Sequence, residues 1–169
     1  YSWRIANLPK DKQNDYGACM RKLEPTERRD ILKPHFDNAK VNWANLAIAA
    51  LLAEGYFYRV LTFNFDQVLQ RACGIGGHYP AVYDFGVAPA ERLDHIVDGA
   101  IIHLHGQSYG MTLLNSDEET EKHARRLEPL LRETVQKHPF LVVGYSGEAD
   151  KVFPVFQKAY LEHRSENLI

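Results

Sequence analysis

The sequence predicts an α/β fold in which a parallel sheet is covered by helices on both faces. Short apolar, β-rich runs recur at residues 58–63, 100–104 and 140–143. Between the last two, Leu127, Leu130, Leu131, Thr134 and Val135 fall at helical spacing. Beyond residue 143, Val152, Phe153, Val155, Phe156, Ala159 and Tyr160 repeat that pattern. Short apolar strands that alternate with helices imply a parallel sheet buried between two helical layers.

Taken in order, the first 40 residues are polar and interrupted by Pro9, Pro25 and Pro34. A short helix is expected over residues 25–33, with Pro25 near its start, where the missing N–H costs nothing. Residues 41–54 are apolar on almost every face and Gly55 follows as a stop, which predicts a buried helix. Residues 82–85 are a further candidate strand. Gly74, Ile75, Gly76 and Gly77 do not directly follow a predicted strand, so they fail the context of a dinucleotide fingerprint and read as a loop. There is no internal repeat, low-complexity stretch or linker, so residues 1–169 are read as a single domain.

Composition narrows the partners. No run approaches the roughly 18 apolar residues of a membrane span, so no membrane partner is expected. A net charge of −2 leaves no broad basic footprint, so direct nucleic-acid binding is not expected either. Lys122, His123, Arg125 and Arg126 are interleaved with Glu118, Glu119, Glu121 and Glu128 and read as a solvated helix face. Cys19 and Cys73 are the only cysteines and read as reduced thiols of a cytoplasmic protein. Two separated cysteines cannot build a four-thiolate zinc site, and no metal is predicted.

Ligands of open parallel sheets bind outside the carboxyl ends of the strands. The run 58–63 delivers Asn64, Phe65 and Asp66 there, the run 100–104 delivers His105 and Gly106, and the run 140–143 delivers Gly144, Tyr145, Ser146 and Gly147. An amide, a carboxylate, an imidazole and a glycine-flanked hydroxyl would gather on one edge. Each has a plainer reading: Asn64 and Asp66 as caps of a helix beginning near Gln67, His105 as a core histidine, residues 144–147 as a strand-to-helix turn. His103 and His105 share a strand face and raise a metal reading, but no third ligand is evident; His103, one step deeper, reads as a neutral, hydrogen-bonded core residue.

At these residues the sequence resembles the sirtuin superfamily, specifically its zinc-free bacterial branch. Thr62-Phe63-Asn64-Phe65-Asp66 is similar to the family's Thr-Gln-Asn-Ile-Asp motif, and more so to the Thr-Thr-Asn-Phe-Asp form of that branch. His103-Leu104-His105-Gly106 resembles the motif that carries the family's general base. Val142-Val143-Gly144-Tyr145-Ser146-Gly147 resembles the strand and loop that hold the adenosine side of NAD, and the helix over residues 45–53 matches the element before the first motif. The likeness runs over residues 42–156. Phe63 replaces the family's Gln, the four-cysteine zinc module is absent, and the family's first strand and glycine-rich phosphate loop have no counterpart before Tyr1. A domain missing that strand and loop upstream of Tyr1 is therefore expected.

The resemblance implies a Rossmann-like NAD-binding domain and an NAD-cleaving enzyme. Asp66 would hold the nicotinamide carboxamide, Asn64 would orient the ribose and its attacking water, and His105 would act as base. Thr62, Phe63, Asn64, Phe65 and Asp66 would bind NAD together with Gly144, Tyr145, Ser146 and Gly147. Without a zinc module to shape an acyl-lysine groove, water is the expected acceptor. The activity implied is NAD glycohydrolase, with protein deacylation or ADP-ribosyl transfer, and a non-catalytic NAD or ADP-ribose sensor, as alternatives. The family further implies an NAD-depleting effector of bacterial anti-phage defence, a homo-oligomer governed by a fused or associated sensor.

Overall fold

The computed structural model describes residues 2–87, 93–107, 117–144 and 152–166. The polar N-terminal stretch is more helical than expected: α1 (Ser2–Ala6), α2 (Tyr16–Arg21) and α3 (Pro25–Asp37) follow one another. Local bonds account for this. The Asp15 carboxylate accepts the Ala18 N–H at 2.9 Å and caps α2. Leu8, Ala18 and Cys19 bury themselves in a small cluster, and the buried Arg28 side chain donates to the Met20 carbonyl at 2.6 Å. Pro34 does not end α3 as anticipated. Its carbonyl accepts both the backbone N–H and the side-chain amide of Asn38, which close the last turn.

The layered part begins with α4 (Trp43–Ala53), whose Asn42 and Asn45 exchange side-chain-to-backbone bonds in a capping box. It continues with β1 (Arg59–Thr62), α5 (Val68–Ile75), β2 (Val82–Asp84), β3 (Ala100–His103), α6 (Asp117–Lys137) and α7 (Val152–Glu166). The three strands form one parallel sheet in the order β1-β3-β2. Val60 and Ile101 pack on one face with Ala49 and Leu52 of α4 and Ala72 and Cys73 of α5. Leu61 and Ile102 pack on the other with Leu127, Leu130 and Leu131 of α6 and Val152 of α7. Period-two geometry thus sends successive apolar side chains into two separate cores, and the strands read as continuous runs rather than alternating ones. Across the sheet edge, Arg59 pairs with Glu133 of α6. Burial raises the Glu133 carboxyl, but hydrogen bonds from Lys137 and Arg59 outweigh it and hold the group below its ordinary range.

Three expectations are corrected. Residues 140–143 are extended but form no strand: Leu141, Val142 and Val143 remain 69%, 54% and 59% exposed. Their apolar composition suits a sheet interior, yet among the described residues β1 pairs only with β3 and no backbone edge reaches them. Gly74 and Ile75 complete α5 rather than a loop, and the turn comes at Gly76 and Gly77, where φ is +72° at Gly77. His123 is not on the solvated face of α6 but buried, and its Nε2–H donates to the Leu104 carbonyl at 2.6 Å. Among the described residues no helix is long and apolar enough to cross a membrane.

Candidate functional site

Parallel pairing puts the carboxyl ends of all three strands on one edge, with Thr62, His103 and Asp84 in register. The last rung joins the Leu104 N–H to the Thr62 carbonyl at 2.9 Å. Past it, the chain is held by side chains. The Thr62 hydroxyl accepts the Asn64 N–H at 3.1 Å, and the Asp66 carboxylate accepts the Val68 N–H at 2.9 Å at the start of α5. Asp66 stands one residue before the N-cap Gln67, which makes no side-chain cap bond, so Asp66 is not the cap its plainer reading made it. It holds the Val68 N–H only, and its second oxygen makes no hydrogen bond among the described residues.

His103 is 1% exposed and bonded at both ring nitrogens. Nδ1–H donates to the Asn64 carbonyl at 2.8 Å, and Nε2 meets the Gln70 amide nitrogen at 2.7 Å. Burial pushes its pKa below the ordinary imidazole value, outweighing the Asn64 carbonyl and the charges of Asp84 and Asp66, which act upward. His103 is thus a neutral, hydrogen-bonded core residue, as its place one step inside the strand suggested.

At the tip of β2, Asp84 accepts from the Gly86 and Val87 N–H groups at 3.0 and 3.2 Å and from the Gln107 N–H at 3.1 Å. The loops after β2 and β3 are tied together by this one carboxylate. They also touch through glycine: a Cβ at Gly86 would fall 2.6 Å from the Cα of Gly106. Sequence reasoning missed Asp84, Gln70 and Gln107. The rule that found Asn64 and His105 passes over Asp84, which lies inside the candidate strand 82–85 rather than beyond it.

A cavity of about 860 Å³ runs along the outer edge of β1. Thr62, Phe63, Asn64, Asp66 and Gly144 all line it at the carboxyl end of the strand. Phe65 and His105 do not. The half-buried His105 packs behind Phe63, with ring centroids 5.1 Å apart, and lies 6.4 Å from Phe65 and 5.5 Å from His123. Gly144 holds φ at +65°, which glycine adopts without strain. Tyr145, Ser146 and Gly147 lie outside the described residues. Among the described residues no group of three or more His, Cys, Asp or Glu side chains is placed to hold a metal ion. Cys73 is free and buried, and burial raises its thiol pKa, so it is not poised as a nucleophile.

Polar groups delivered to one edge of a parallel sheet between two helical layers define a Rossmann-like α/β domain with an edge site. The family described as SIR2-like domain matches the chain over residues 59–167, from β1 through α7 and well over half of its length. The chain belongs to this SIR2-like, sirtuin-related family, and its function is therefore NAD-related; domains of the family are typically NAD-dependent enzymes. No curated protein matches the chain. Asn64 and Asp66 line the cavity with side chains that can respectively donate and accept, and accept, hydrogen bonds.

Proposed function

We propose that this domain is an NAD glycohydrolase of the zinc-free bacterial branch, releasing nicotinamide and ADP-ribose. The observation that carries the reading is Asn64. Both of its backbone groups are held, by Thr62 and His103, while its side-chain amide makes no hydrogen bond among the described residues and lines the cavity beside Asp66. Breaking the bond between nicotinamide and ribose builds positive charge on the ribose anomeric carbon. Water oxygen bonds to that carbon as the nicotinamide nitrogen leaves with the bonding pair, and one proton is lost. Asn64 orients the ribose and the water, and Asp66 fixes the carboxamide. The resemblance assigns the proton of a ribose hydroxyl or the water to His105, which packs against Phe63 rather than lining the cavity. Phe65 packs behind this group, and Gly144, Tyr145, Ser146 and Gly147 take the adenosine side. The presence of only two cysteines, at positions 19 and 73, supports the zinc-free placement.

The same reading makes the protein a cytoplasmic, homo-oligomeric NAD-depleting effector of anti-phage defence, governed by a fused or associated sensor. It also makes the described fold one strand short. The outer edge of β1 has no partner among the described residues, and the cavity beside it is walled by Ile48 of α4, Leu131 of α6 and the exposed run at Leu141, Val142 and Val143. On this reading a further apolar strand that carries the phosphate loop would pair with β1 and shelter that run.

The test is incubation of the complete polypeptide with NAD and separation of the products. Stoichiometric nicotinamide and free ADP-ribose are expected. Asn64→Ala should reduce turnover by about 10³-fold or more with the fold intact, and His105→Ala by about 10²–10⁴-fold. Retained turnover in Asn64→Ala, or ADP-ribose appearing only on an acceptor, would overturn the assignment.

A further inference from the structure

We infer that His103 is a positioning residue that aims Asn64, and that Gln70 fixes the ring in the state that does so. The inference rests on the NAD-cleavage reading of this edge. Asn64 lies two residues beyond the end of β1, where the sheet offers no further rung. Its carbonyl is held by an imidazole instead: His103 Nδ1–H, at 2.8 Å, takes the place of a strand neighbour. Because a carbonyl can only accept, the proton must sit on Nδ1. A neutral ring then presents a lone pair at Nε2, and the Gln70 amide nitrogen donates to it at 2.7 Å. Gln70 stands in the first turn of α5, whose Val68 N–H is held by Asp66. Asn64 and Asp66 are therefore fixed against one another through a closed loop of bonds: Asn64 to His103, His103 to Gln70, and α5 back to Asp66.

Two details set this apart from ordinary packing. The Gln70 carbonyl oxygen is buried with no hydrogen-bond partner among the described residues. The amide is thus held through its nitrogen, on the side that faces His103. The amide nitrogen also faces the Gln107 side-chain oxygen at 3.4 Å, while the Gln107 N–H is held by Asp84. This one amide thus joins β3, through His103, to the loop that follows it, through Gln107. The charged groups facing the ring are Asp84 at the tip of β2 and Asp66 before α5.

Isosteric variants separate aiming from packing. In His103→Asn the side-chain nitrogen stands as far from the backbone as Nδ1 and can still donate to the Asn64 carbonyl. In His103→Gln the amide reaches the Nε2 position, meets Gln70 and leaves that carbonyl unbonded. Both are made in the complete polypeptide, and kcat, KM for NAD and melting temperature are measured. His103→Asn should keep kcat within about fivefold of wild type, while His103→Gln should lose about 10–100-fold with KM changed less than about threefold. Equal kcat in two equally stable variants, or a change confined to KM, would overturn the inference. If His103→Gln does not fold, Gln70→Met releases the tautomer while keeping the ring; kcat should fall about 3–10-fold, and an unchanged kcat would overturn it. If the wild-type protein does not cleave NAD, the hydrolase reading fails, but the amide nitrogen resonance of Phe65 still reports the bond to the preceding carbonyl. It should stay in place in His103→Asn and move in His103→Gln; the reverse, or no movement in either, sinks the aiming role.

Discussion

β3 and the outer flank of β1 lie in the same sheet and are built on opposite terms. All four residues of β3 are at most 1% exposed, three of them are paired on both edges, and helices cover both faces. β1 is only half-buried along its length, and beyond it Leu141, Val142 and Val143 stand in solvent with no backbone partner among the described residues. The groups assigned to chemistry are tied to the first region: the Asn64 carbonyl is bonded to His103 of β3, His105 follows β3 in the chain and packs on Phe63, and Asp66 is held at the start of α5. The side assigned to adenosine follows the second, at Gly144. A site can thus have its reacting half fully braced while its binding half depends on what occupies a bare edge.

The contrast can be broken most decisively by activity. If the phosphate cradle is supplied from outside residues 1–169, as the proposed function has it, that stretch prepared alone should cleave NAD at least about 10³-fold more slowly than the polypeptide that carries the cradle. Full activity of the isolated stretch, read by nicotinamide release, would show that the bare edge needs nothing more.

A smaller effect separates the two regions by stability. Leu127→Ala, inside the core beneath β3, should cost about 2–5 kcal/mol in chemical denaturation. Leu141→Ala should stay within about 0.5 kcal/mol in the isolated stretch. In the complete polypeptide its cost should rise above about 1 kcal/mol as the residue becomes covered. Equal costs for Leu141→Ala in both settings would mean that no strand covers this run.

The smallest expected effect is on pH dependence. The fold holds His103 neutral below the pH at which a histidine of the unfolded chain takes up its proton, near 6.5. As pH falls below that value the unfolded state binds more protons, so stability declines until the buried ring itself protonates. His103→Asn should flatten that decline, as read from melts between neutral and mildly acidic pH. An unchanged slope would place the titrating group elsewhere.

Much of the braced half was legible in the sequence. Residues 58–63 and 100–104 became strands with their ends shifted by a residue at most points, and the polar residues directly beyond each strand end located Asn64, Asp66 and His105 on one edge. The flank was not legible for a physical reason. The apolar run at Phe140, Leu141, Val142 and Val143 states that it is to be covered, but composition carries no information about which backbone edge will cover it. His123 was misread because its neighbours in sequence are charged. Its spacing to Leu127, Leu130 and Leu131 is that of one helix face, and periodicity would have placed it in the core. Gln70 carried no signal at all, since a glutamine in a helix ordinarily reads as surface and only the fold brings it against His103.

The contact between the loops after β2 and β3 has a consequence for how substitutions will distribute over this domain. A methyl group at Gly86 would overlap the backbone of Gly106 and approach the carbonyl carbon of His105 at 2.7 Å. Backbone cannot rotate away as a side chain can, so even alanine at position 86 displaces the peptide that carries the assigned base. A survey of random variants scored by activity would therefore rank Gly86 with the residues of the site, although it offers no functional group to any substrate. Tolerance to mutation here maps the spacing between two loops, and reading it as chemistry would credit a residue that contributes only its lack of bulk.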